Sequence, residues 1–192
     1  MILILMQSRS GSSLIASIFA AHGYKTRHDP NPNAFDYVNW EHLPAKRWAY
    51  ARKSKMNYRN GHFVRPVEGI DKVIKDGDCV KMGVEYWPLF NGLDYKLFVV
   101  RRDPEQIARS LLEKQNKHSA DLASQRRVRA MVELRESMLD HVREHANGVD
   151  VFPDEIVRGD FSSLERGFAH HGLTFKPERA RKCIDPSKWH RR

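Results

Sequence analysis

Cysteine is scarce in this chain: 192 residues contain two, Cys79 and Cys183, far apart in sequence. A disulfide framework and a CxxC metal site are both excluded, and structural zinc is not expected. Long apolar runs are missing as well. The strongest, residues 1–6 and 14–21, fall far below the roughly 20 residues a bilayer-spanning helix needs. No basic stretch precedes the first apolar residues, so no cleaved signal peptide is expected, and a cytoplasmic location is the default. Acidic residues are the minority charge, 24 Asp and Glu against 33 Lys and Arg, for a net charge of +9. That excess implies a polyanionic partner, and nucleic acid, nucleotide and acidic glycan all satisfy it. With 41% hydrophobic residues the chain is no disordered tail, and its length suits one domain over 1–192.

The segment Met-Ile-Leu-Ile-Leu-Met at 1–6 is continuously apolar, which predicts a first strand buried on both faces of a parallel sheet. A polar turn over 7–13 follows. Leu14, Ile15, Ile18 and Phe19 then recur at helical spacing until Gly23. Residues 25–69 lack clear periodicity and carry Pro30, Pro32, Pro44 and Pro66, so they read as a substrate-side insertion or lid, with a short helix over 35–43. Further strands are predicted over 78–84, 95–100 and 149–157, the last interrupted by Pro153. Helices are predicted over 105–117, 120–145 and 162–171, with Gly172 as the stop of the last. In the second of these, Val128, Met131, Leu134, Met138 and Val142 trace the apolar stripe. Alternating strands and helices give an α/β fold, a three-layer doubly wound sheet that is mainly parallel, with ligands at the carboxyl ends of its strands.

Between the first strand and first helix stands Gln7-Ser8-Arg9-Ser10-Gly11-Ser12-Ser13. Gly11 permits a tight backbone, the helix amino end carries positive partial charge, Ser12 and Ser13 add hydroxyls, and Arg9 adds a full charge. Such a loop cradles an anion; the plainer reading is a serine-rich helix cap. A Walker loop aligned on Gly11 requires Gly where Met6 stands and Lys where Ser12 stands, so ordinary ATP or GTP hydrolysis is disfavoured. A second segment, Phe98-Val99-Val100-Arg101-Arg102-Asp103-Pro104, also passes from strand to helix, and Ser110 lies eight positions beyond Arg102. A guanidinium there grips a phosphate, and a hydroxyl one or two turns into the helix adds a donor. Arg101 competes with Arg102 for that role.

A basic residue followed by Ser-Gly-Ser-Ser resembles the 5′-phosphosulfate loop of sulfotransferases that use 3′-phosphoadenosine 5′-phosphosulfate (PAPS). Arg102 and Ser110 resemble the same family's 3′-phosphate motif. The resemblance implies a P-loop NTPase-like sulfotransferase fold of the bacterial and phage type. It also implies metal-free transfer of a sulfuryl group from PAPS to a hydroxyl or amine, releasing 3′-phosphoadenosine 5′-phosphate (PAP). In that reading Arg9, Ser10, Gly11, Ser12 and Ser13 hold the 5′ end and Arg102 and Ser110 the 3′-phosphate, while Lys81 resembles the family lysine near the transferred group. Gly83 stands where cytosolic members place a catalytic histidine. The base is therefore sought among Asp36 and Glu41, in a segment resembling the family's Asn-Pro-x-Gly-Tyr-Phe-Glu stretch although Ala34 replaces its glycine, with Glu85 and His28 in reserve. Residues 156–161 resemble a late strand and acidic turn of the family.

Between Pro44 and Val67, seven Lys and Arg residues, from Lys46 to Arg65, occur with no acid and with Trp48, Tyr50, Tyr58 and Phe63 interleaved. Such a segment suits an anionic small-molecule or glycan acceptor, or is simply a solvated basic loop. The basic carboxyl end, 188–192, reads most simply as a basic tail, with contact to a nucleotide as the alternative. Neither a membrane nor a nucleic acid is expected as the partner. A kinase-like phosphotransferase and a noncatalytic nucleic-acid-binding module are the alternatives. Magnesium-dependent ATP turnover marks the first, and steep salt dependence without a preference for PAP marks the second.

Overall fold

The computed structural model describes residues 1–26, 58–59, 62–63, 70–114 and 121–185. The first strand, β1 (Ile2–Met6), is buried along its whole length, as its unbroken apolar run requires. A two-residue antiparallel pair, β2 (Tyr58–Arg59) and β3 (His62–Phe63), stands apart from the main sheet. Three more strands, β4 (Cys79–Gly83), β5 (Lys96–Val100) and β6 (Val149–Val151), complete a four-stranded sheet in the order β4-β1-β5-β6 with every pair parallel. Ile2 sits opposite Cys79 on one side and Lys96 on the other.

Side chains alternate between the two faces along each strand, which divides the core in two. Ile2, Ile4 and Met6 join Phe98, Val100 and the thiol-bearing Cys79 against Ile15, Ile18 and Phe19 of α1 (Ser12–Ala21). Leu164 and Phe168 of α5 (Ser162–His170) close the same face, with Ala180 of the short helix α6 (Pro177–Arg181). Leu3 and Leu5 join Val80, Met82, Leu97 and Val99 on the other face, covered by Leu139 and Val142 of α3 (Leu122–His145). On that side α2 (Pro104–Lys114) packs Ile107 and Ala108 against Val128 and Val132 of α3. The protein is thus an α/β fold built on a parallel sheet with helices on both faces.

Three expectations change. The stretch 149–157 is a strand only to Val151; Pro153 then opens the one-and-a-half-turn helix α4 (Pro153–Val157) rather than interrupting a strand. Proline's fixed φ and missing N–H suit the first turn of a helix, and this also makes Ile156 and Val157 helical instead of a late strand. The inward stripe of α3 runs through Val128, Val132, Leu139 and Val142, while Leu134 is 47% exposed on the outer side. In addition, Val84–Phe90 forms a 3₁₀ segment directly after β4.

At Gly167 the α5 backbone lies against the sheet: a Cβ there would stand 2.7 Å from the ring of Phe98, itself fully buried. Gly167→Ala gains about 1 kcal/mol of helix propensity but overpacks the core by about 1–3 kcal/mol. The expected outcome is a net loss of about 1 kcal/mol, read as a lower urea midpoint with an unchanged slope.

The chain leaves β1 toward β4 on one side and leaves β5 toward β6 on the other. Connections departing in opposite directions from adjacent strands open a crevice at their carboxyl ends, here between the segment after Met6 and the segment after Val100. Both sequence motifs begin at that place.

Candidate functional site

The loop 7–11 turns on the bond from the Ser10 amide to the Gln7 carbonyl, 3.3 Å. Two of its residues are left-handed, Arg9 at φ 71° and Gly11 at φ 84°. Glycine adopts this at no cost, whereas an arginine holds it at a cost of about 1–2 kcal/mol, a kind of strain that persists at functional sites. The N-cap residue, Gly11, has no side chain with which to cap α1, and the first turn contains no acidic residue. The positive end of the helix therefore faces the crevice. Ser10 is fully buried, and its Oγ has no hydrogen-bond partner among the described residues.

Lys81 reaches the same helix end from the sheet. Its register opposite Ile4 puts it on the α1 face, where its 2%-exposed side chain donates from Nζ to Ser13 Oγ at 3.1 Å. A loop with a backbone nest, an orphaned buried hydroxyl and two cationic side chains at a helix amino end fits an anion chemically.

The second motif resolves the choice between adjacent arginines. Arg101 is buried and fully engaged: Nε donates to Asp150 Oδ1 at 2.9 Å, Nη1 to Glu136 Oε1 at 2.6 Å and Nη2 to Asp140 Oδ1 at 2.8 Å. Arg102 instead turns to the loop, donating from Nη1 to the Arg9 carbonyl at 3.2 Å. Its Nε donates to Gln106 Oε1 at 3.2 Å and lies 3.4 Å from Asp154 Oδ2. Asp103 accepts from the Gln106 amide at 2.9 Å, setting the first turn of α2. Two turns on, the buried Ser110 accepts from Arg9 Nε at 2.9 Å. Arg9, Arg102 and Ser110, 101 positions apart at the extremes, thus meet in the crevice between β1 and β5.

Sequence reasoning missed Gln7. Its amide Nε2 donates to Glu136 Oε2 and fastens the start of the loop to α3, the helix that holds Arg101. Beside Arg102 opens a cavity of about 500 Å³, whose wall includes Arg101, Asp150, Asp154, Glu155 and Arg158. Asp36, Glu41 and His28, the basic segment between Pro44 and Val67 apart from the backbone of β2 and β3, and the tail 188–192 lie outside the described residues.

Because the buried Ser10 hydroxyl has no partner among the described residues, Ser10→Ala removes a desolvation cost of about 1–3 kcal/mol from the free protein. We expect a higher melting temperature for the unliganded variant together with weaker binding of the anion. A lower melting temperature refutes the orphaned-hydroxyl account.

Among the described residues, no three His, Cys, Asp or Glu side chains are grouped to hold a metal ion, and no helix is long and apolar enough to cross a membrane. No protein-family model, curated protein or solved structure matches the chain. Fold and site together define a parallel α/β protein whose first loop and second-helix motif converge at a topological switch point.

Proposed function

We propose that the protein binds PAPS in this crevice and transfers its sulfuryl group to an acceptor hydroxyl or amine, releasing PAP, on a P-loop-like sulfotransferase fold. The observation that carries the reading is the junction of Arg9, Arg102 and Ser110. Two phosphate-type motifs, each with a strand–loop–helix origin, share one site, as a nucleotide with an anion at each end requires.

The uncapped end of α1, with Ser12 and Ser13, receives the 5′-phosphosulfate. Lys81, already at Ser13, stabilises the negative charge that gathers on the departing phosphate oxygen. Losing one such donor commonly costs about 10² to 10³ in rate. Arg102 and Ser110 receive the 3′-phosphate, for which Arg102 exchanges Asp154 as its anionic partner. The acceptor is a small molecule or glycan, with the basic segment before Val67 favouring an anionic one.

Calorimetric titration with PAP, AMP, ADP and ATP tests the reading. PAP is expected to bind at least about tenfold more tightly than AMP, since a charged hydrogen-bonded contact contributes about 1.5–3 kcal/mol. Equal binding of PAP and AMP overturns it.

A further inference from the structure

The carboxyl end of β4 carries a feature that the nucleotide site does not use. Gly83 closes the strand opposite Met6, the last residue of β1 before the loop. Residues 81 and 83 share a face of the strand, and Lys81 on that face reaches Ser13 at the start of α1. A side chain at position 83 would point the same way, but its space is taken. A Cβ built on Gly83 would lie 2.6 Å from Glu85 Oε2, 2.7 Å from its Cδ and 2.9 Å from its Oε1. The chain turns into the 3₁₀ segment Val84–Phe90 immediately after Gly83, and this turn folds the Glu85 carboxylate back over the strand end.

Two further facts bear on what the carboxylate does there. Arg135 of α3 donates from Nη2 to Glu85 Oε1 at 3.2 Å, which orients the group. The Glu85 side chain keeps 34% of its surface exposed, so a substrate approaching from solvent can reach it. The carboxylate is thus held over the carboxyl tip of β4, beside the strand whose last residue, Met6, leads into the phosphate-type loop.

We propose that Glu85 is the catalytic base of the reaction, accepting the proton of the acceptor substrate; this rests on the sulfuryl-transfer reading above. As the acceptor oxygen or nitrogen bonds to sulfur, its O–H or N–H bond breaks and the proton passes to the Glu85 carboxylate. The bond between sulfur and the 5′-phosphate oxygen breaks with its electron pair remaining on that oxygen, and PAP departs. Gly83 serves this arrangement by having no side chain, because any Cβ evicts the carboxylate.

The test follows PAP and sulfate released from PAPS with water as acceptor, and sulfuryl transfer to phenol, which keeps its proton at neutral pH, alongside calorimetric binding of PAP. Glu85→Gln is expected to lower turnover by about 10² or more while PAP affinity stays within about twofold. Gly83→Ala should do the same by displacement, since the atoms it meets are the end of a flexible side chain; it therefore supplies a variant whose carboxylate is intact. Glu85→Asp should retain an intermediate rate. Turnover of Glu85→Gln within about threefold of wild type, at unchanged PAP affinity, overturns the assignment and leaves sulfuryl transfer standing. A wild type that prefers PAP yet cleaves PAPS with neither acceptor overturns the assignment too. Failure of the wild type to prefer PAP over AMP removes the parent reading with it.

Discussion

Arg102→Ala is expected to abolish most of the preference for PAP over AMP, weakening PAP about 10- to 100-fold and leaving AMP within about threefold. The effect is large because a 3′-phosphate is a dianion and the Arg102 side chain is only 9% exposed, so the contact is shielded from water and salt. Arg9→Ala should weaken both nucleotides, because Arg9 belongs to the loop at the amino end of α1 as well as bonding to Ser110. The two variants titrated with both ligands separate the ends of the nucleotide. If Arg102→Ala weakens AMP as strongly as PAP, the guanidinium does not read the 3′ position.

Arg101→Leu is expected to destabilise the fold by about 3–5 kcal/mol, measured by urea unfolding. Glu136 and Asp150, each about a quarter exposed, would lose their shared cation, with the half-exposed Arg143 remaining 3.2 Å from Asp150 Oδ2. Asp140, at 60% exposed, contributes little to this sum because solvent screens it. Burial pulls the Arg101 guanidinium toward its neutral form, but its hydrogen bonds and charge pairing with Asp150 and Glu136 outweigh that, holding it above an ordinary arginine. Arg101→Lys should recover only a fraction, since an ammonium cannot present three fixed edges to three carboxylates. The variant also weakens nucleotide binding, through Glu136 and its bond to Gln7 at the start of the loop. A change under about 1 kcal/mol would mean that the network is solvated and structurally idle.

The fold was legible where burial on both faces writes itself into composition. The apolar runs of β1, β4 and β5 can be read directly, and Gly23 and Gly172, both left-handed, stop the helices before them. Pro153 was misread because an apolar flank on each side resembles a broken strand, and only the packing of α4 shows that proline starts a helix. Leu134 was misplaced because stripes at spacings of three and four run close together on a long helix. Within the site, local spacing identified Arg9, Arg102 and Ser110 as a set. It did not show that Arg9 crosses to Ser110, since the sequence reading set them at opposite ends of the ligand. The choice between Arg101 and Arg102 depends on carboxylates from α3 and β6, at least 35 residues away, which no local pattern reveals. Glu85 is only two residues from Gly83, yet its position follows from a 3₁₀ turn that the alternating pattern of a strand does not announce.

Cys79 lies 1% exposed at the start of the edge strand β4, packed under α1, where burial raises its thiol far above an ordinary cysteine. A thiolate reagent such as Ellman's therefore meets it only when the strands separate. Cys183, the other thiol, is half-buried and should be consumed first. The slow phase of colour release then counts how often β4 parts from β1, so the molecule carries its own clock for opening at that edge, and occupancy of the crevice should slow its tick.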